Sequence, residues 1–240
     1  VPHPDLTLDA VQQAAVARAM AQARDLPLYA YPWQALTEDL DRRGLTHVPV
    51  VGYGSLLNSE SAAQTLSAGS LEGRRPILAF GVLRLFTRAM SSVATDRSAG
   101  NPDVRAALNV RITGRQEDVV NGALIQVARE DLEALRRRER RYDLVPVACV
   151  EWDDRTVPPF TAYILVSPEE LWRAESAAHP VIEPHPEYYQ TCRRGAAEFG
   201  DAFLRFWLAT TFLADGVTPV SAWEKTRSGK AQHWEERRPA

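Results

Sequence analysis

The chain of 240 residues has no long apolar run, no cysteine framework and no excess of positive charge, and each absence removes a class of function. A membrane helix needs about 20 consecutive apolar residues. The start, Val1-Pro2-His3-Pro4-Asp5, is polar and lacks a signal-peptide pattern, so the expected location is the cytoplasm, with no membrane partner. Cys149 and Cys192 are too few and too far apart for a disulfide framework and read as small core residues. The net charge is -3 and no basic stripe interleaves with aromatics, so nucleic acid is not an expected partner. Nucleotide signatures are missing too. Gly52 and Gly54 begin a G-x-G, but Leu57 stands where a dinucleotide fingerprint needs its third glycine, and no P-loop lysine follows. Ser55 lacks the glycine two places later that a nucleophile elbow requires. Histidines and glutamates gather in His179-Pro180-Val181-Ile182-Glu183-Pro184-His185-Pro186-Glu187, but the prolines force an extended path on which they need not converge. That segment reads as a rigid connector at the mouth of a site, and no metal is expected.

What is present fits one soluble core with additions at both ends. Leu6 to Arg24 reads as an alanine-rich helix starting near Thr7 or Asp9, and Gln34 to Arg43 as a second helix ending at Gly44. Strands are expected at Val48 to Val51, Ile77 to Phe86, Ala106 to Ile112, Val119 to Val127, Leu144 to Trp152 and Phe160 to Val166, with Asp153-Asp154-Arg155 as a hairpin turn. Short polar connections favour antiparallel neighbours. The expected fold is α+β: a mixed, mainly antiparallel β-barrel or half-barrel with flanking helices. The division expected is an N-terminal helical extension over 1–46, a catalytic domain over 47–215 and a loosely held polar tail over 216–240. A helix from Tyr188 to Leu213 carries an aromatic stripe that suits core packing or a subunit contact, the latter making a homodimer.

Two local features point to chemistry. From Arg129 to Tyr142 the inward positions of a helix run Leu132, Leu135, Glu139, Tyr142, so a carboxylate stands where the stripe calls for an apolar residue. It is either the buried partner of a neighbouring arginine or a general acid/base facing a pocket. The arginines flanking it have solvent directions open to them. The other feature is Tyr53-Gly54-Ser55-Leu56, a turn between the first strand and a short helix at Ser59 to Leu66. It is either a plain turn or a cradle whose amides hold a carboxylate or phosphate, with Gly54 admitting close approach to the main chain.

The Tyr53-Gly54-Ser55-Leu56 turn, followed by Leu132-x-x-Leu135-x-x-x-Glu139 and Tyr142, resembles the gamma-glutamylcyclotransferase family over roughly Val48 to Val166. The resemblance implies that the turn holds the α-carboxylate and amine end of a γ-glutamyl group, that Glu139 is the acid/base, and that no cofactor is used. The implied reaction closes a γ-glutamyl amine or peptide to 5-oxoproline and frees the amine. Tyr53 and Tyr142 are then pocket-wall hydrogen-bond donors, or simply core, and Tyr142 follows Glu139 more closely than the family pattern has it. The stretch from Ser91 to Arg105 is only loosely like the glutathione-specific branch, so glutathione is not assigned. Two alternatives remain: a noncatalytic binding protein on the same scaffold, or removal of a γ-glutamyl protecting group from a biosynthetic intermediate.

Overall fold

The computed structural model describes residues 7–90, 104–179 and 181–226. The stretch expected to bear on glutathione lies mostly outside them. Helix α1 (Ala10–Arg24) starts at Asp9, whose carboxylate accepts from the Gln12 amide while the Gln12 side chain returns to the Asp9 N–H. Helix α2 (Gln34–Arg43) stops at Gly44, in the left-handed region at φ 64°. Strand β1 (His47–Gly52) then leads into the Tyr53–Leu57 turn, helix α3 (Ser59–Ala63) and the short α4 (Ala68–Leu71).

The run expected as one strand from Ile77 to Phe86 is two, β2 (Arg75–Phe80) and β3 (Val82–Ala89), parted at Gly81, which sits at φ 78°. The break sends the two halves into different sheets. Strands β4 (Arg105–Ile112) and β5 (Val119–Ala128) precede helix α5 (Leu132–Arg138), and β6 (Asp143–Glu151) and β7 (Phe160–Val166) form the expected hairpin. Beyond them come α6 (Glu169–Ala178), β8 (Glu183–Pro184), α7 (Pro186–Ala197), α8 (Asp201–Ala209) and β9 (Thr211–Phe212). The single helix expected from Tyr188 to Leu213 is therefore two, separated at Gly200, φ 95°.

Strands β1-β5-β2-β6-β7 close into a barrel, sealed by a parallel β1–β7 contact, and β8-β4-β3-β9 make a second sheet. Alternation along β2 and β6 points Ile77, Ala79, Val147 and Cys149 into the main core and Leu78, Phe80, Ala148 and Val150 outward. Helix α1 covers that outer face with Val16, Ala19 and Met20, so the N-terminal extension is packed on the barrel. The connector to α2 adds a bridge between Tyr29 and Leu144, and the Trp33 indole donates to the Tyr142 carbonyl at 2.8 Å. At the other end, the segment expected to be a loose tail is anchored in its described part: Val220 and Trp223 are buried in the main core. Among the described residues no helix is long and apolar enough to cross a membrane.

Candidate active site

A cavity of about 670 Å³ opens where the turn after β1, the end of α5 and the first turn of α7 meet. Tyr53, Gly54, Ser55, Leu56, Glu139 and Tyr142 all line it, so the residues singled out in sequence are brought together.

Helix α5 is shorter than its sequence stripe. It ends at Arg138, leaving Glu139 as the C-cap at φ -94°, ψ 51°, with its N–H still donating to the Leu135 carbonyl. Tyr142 lies beyond the helix, after Arg141 in the left-handed region at φ 67°. The stripe thus gave the direction of Glu139 correctly and the helix length wrongly. The helix is seated at its other end by Asp131, whose carboxylate accepts from the Ser67 amide (2.8 Å), the Ser67 hydroxyl (2.6 Å) and the Ser70 hydroxyl (2.5 Å).

The Glu139 side chain is 16 % exposed, and burial raises its pKa above the usual glutamate range against the opposing pull of Arg138. Arg138 Nε stands 3.3 Å from Glu139 Oε1. Its remaining nitrogens reach the Ser61 carbonyl at 2.6 Å, the Thr65 hydroxyl at 3.0 Å, and the Ser55 and Ser61 hydroxyls at 2.9 Å. Arg138 is thus a neighbouring arginine that turns inward, as the buried-partner reading of Glu139 allowed, and it ties the carboxylate to the turn. Spacing did not show it, because a long side chain on the last helical residue can fold either way.

Tyr53 and Tyr142, read as pocket-wall donors or simply core, line the cavity but spend their hydroxyl protons on main-chain carbonyls: Tyr53 on Leu165 at 2.8 Å and Tyr142 on Leu108 at 2.9 Å. Burial pushes both phenols up, so both stay protonated near neutral pH. The close approach expected at Gly54 is made by Tyr188. A Cβ on Gly54 would lie 2.7 Å from that phenol oxygen. Tyr188 also lines the cavity, although its sequence context, an aromatic stripe, read as core or subunit contact. The opposite wall carries Arg88, paired with Glu175 of α6 and set over the Tyr142 ring at 5.8 Å.

In the turn itself the Leu57 and Asn58 amides bond back to Gly54 and Ser55, whereas the N–H groups of Gly54, Ser55 and Leu56 meet no acceptor among the described residues. Donors left over beside a cavity suit an anionic ligand. Among the described residues no group of histidine, cysteine, aspartate and glutamate is arranged to hold a metal ion. In the connector after α6, His185 instead caps α7.

Similar solved structures include YkqA from Bacillus subtilis (13 % identity, TM-score 0.47, 70 % of this chain and 56 % of that one). A gamma-glutamyl cyclotransferase matches at 13 % identity and TM-score 0.47, over 68 % of this chain and 88 % of that one. A cyclotransferase specific to glutathione from yeast matches at 13 % and 0.41, over 76 % of this chain and all of its own. The chain thus spans little more than half the length of YkqA. No family model matches it, and no curated protein does.

Proposed function

We propose that the cavity cyclises a γ-glutamyl amine or peptide to 5-oxoproline, with Glu139 as the acid/base. The observation that carries this reading is the pairing, in one cavity, of a mostly buried carboxylate with a turn whose Gly54, Ser55 and Leu56 amides are uncommitted. The amides take the substrate's α-carboxylate. Its α-ammonium then lies between the turn and Glu139, which accepts a proton and frees the amine to attack the γ-carbonyl carbon. A C–N bond closes the ring as the γ-amide C–N bond breaks. Glu139 returns that proton to the departing nitrogen and then accepts the second proton that the ring nitrogen sheds after attack, passing it to the released amine. The products are 5-oxoproline and an ammonium, so atoms and charge balance without a cofactor. Holding the flexible glutamyl chain in its ring-closing shape contributes up to about 7 kcal/mol of barrier lowering. A raised Glu139 pKa suits both halves of the proton cycle, because the group is a better base than a solvated carboxylate and a ready acid afterwards.

The contact between Arg138 and Glu139 favours a second reading, a noncatalytic binding protein in which the carboxylate only balances the guanidinium. That contact is long, at 3.3 Å, and the other Arg138 nitrogens bond Ser55, Ser61 and Thr65. A structural pair commonly takes the bidentate form instead.

The test is release of 5-oxoproline from γ-glutamyl amino acids, γ-glutamyl amines and glutathione, run beside Glu139→Gln. The expected result is release from at least one member and a loss of turnover of about 100-fold or more in the variant, with KM little changed. Silence from folded wild-type protein across the panel, or full turnover in Glu139→Gln, would sink the proposal.

A further inference from the structure

Behind the turn lies an arginine that the chemistry above does not use. Arg84, on β3, is fully buried, and among the described residues no carboxylate pairs with it. Its partners are neutral oxygens. Nε donates to the Thr211 hydroxyl at 2.7 Å, and Nη1 donates to the Asn121 carbonyl at 2.7 Å and the Tyr53 carbonyl at 3.3 Å. Nη2 reaches the Asn121 side-chain oxygen at 2.9 Å, the Thr210 hydroxyl at 3.2 Å and the Trp207 carbonyl at 3.4 Å. A guanidinium stays protonated in such a setting, so a full positive charge is buried without a countercharge, an arrangement that costs several kcal/mol unless something offsets it.

The contact with Tyr53 has a geometric consequence. The same carbonyl also accepts from the Trp207 indole at 3.3 Å, so two donors from the core fix that peptide plane. In a trans peptide the N–H lies opposite the C=O. Drawing the Tyr53 oxygen into the core therefore turns the Gly54 N–H the other way, toward the cavity that Gly54 lines. The same charge is felt on the cavity side, where it opposes the upward push of burial on the Tyr53 phenol.

We infer that Arg84 is a positioning residue for the substrate's α-carboxylate: it aims the Gly54 N–H at that group and supplies the buried positive charge that the carboxylate neutralises. This rests on the cyclisation reading, in which the turn holds the α-carboxylate. The exposed Arg140 and Arg141 also line the cavity, but salt screens them, whereas it does not reach Arg84.

The experiment compares a γ-glutamyl substrate with its analogue bearing an α-carboxamide, in the wild type, Arg84→Gln and Arg84→Lys. The wild type is expected to favour the carboxylate by about tenfold or more in KM, at both low and high salt. Arg84→Gln should lose most of that preference by raising KM for the carboxylate substrate alone, with kcat for bound substrate largely kept, and Arg84→Lys should recover part of it. A merely structural arginine would shift KM for both substrates alike, and that outcome overturns the inference. So does equal use of the two substrates by the wild type, or a preference that high salt abolishes, even if neither variant folds. Failure of the wild type to release 5-oxoproline from either substrate is a different result, since it removes the cyclisation reading itself.

Discussion

Glu139 is held by opposed forces, and their balance can be measured. Burial favours its neutral form and Arg138 its ionised form, with burial the larger. The folded state then binds the proton more tightly than the unfolded chain, whose glutamates titrate near 4.5. The stability this group contributes is full below that value and is lost as pH rises through the higher folded pKa. At neutral pH the ionised carboxylate is therefore a net cost. Glu139→Gln should melt a few degrees above the wild type at pH 7, about 2–4 °C for each kcal/mol at this chain length, and the gap should close in acid. Thermal melts over a pH series check this. A lower melting temperature for the variant at pH 7 would show that Arg138 wins, which is the binding-protein reading. The inward direction of Glu139 was legible from Leu132 and Leu135, because a helical stripe fixes which side a residue faces. Arg138 and Tyr188 were not, because nothing in spacing says that a terminal arginine folds inward, or that one tyrosine of an aromatic stripe covers a glycine distant in sequence.

Elements rather than single residues hold the turn in shape. Helix α7 presses on it from outside, and the contact is main chain against main chain: a Cβ on Gly195 would lie 2.3 Å from the Asn58 nitrogen and 2.5 Å from the Leu57 carbonyl carbon. Backbone cannot move aside as a flexible side chain does, so Gly195→Ala should displace α7 at a cost of about 1–3 kcal/mol. Tyr188 lies on the same helix, so KM should rise together with the fall in melting temperature. Gly69→Ala is the control, because its added carbon would meet nothing nearer than the Ser67 hydroxyl at 3.8 Å and should leave KM unchanged. Wild-type KM in Gly195→Ala would show that the turn keeps its shape without α7. Element ends marked by local chemistry, such as Gly44 after α2, could be read directly, whereas at the start of α1 two candidate caps, Thr7 and Asp9, left the first turn open and the structure uses Asp9. The break at Gly81 could not be read, since apolar residues on both sides of it, interrupted only by Arg84, read as one strand, and its two halves differ in which sheet they join.

Across the whole molecule, the order β1-β5-β2-β6-β7 joins strands far apart in the chain. Alternation announces a strand but not its neighbour, so barrel closure was expected only as a class, from short connections. The outer layer follows from closure: once β2 and β6 are neighbours, Leu78, Phe80, Ala148 and Val150 form an apolar outer face, and α1 buries it. Val16, 1 % exposed, stands in that layer with Phe206 and Val119. A carboxylate introduced there has no cation in the cluster to pair with, and its burial costs several kcal/mol, of which protonation or undocking of α1 relieves part. Val16→Asp should therefore lower the melting temperature by several degrees. The barrel wall separates this layer from the inner core on which the cavity is built, so the folded fraction should keep the wild-type KM. Melting and KM measured on the same preparation decide the matter. A stable Val16→Asp would mean that α1 adds little to the fold, whereas a KM that moves with the melting temperature would mean that the outer layer reaches the site. Any such coupling would run through the connector after α1, where Tyr29 bridges to Leu144 and the Trp33 indole holds the Tyr142 carbonyl, three residues beyond Glu139.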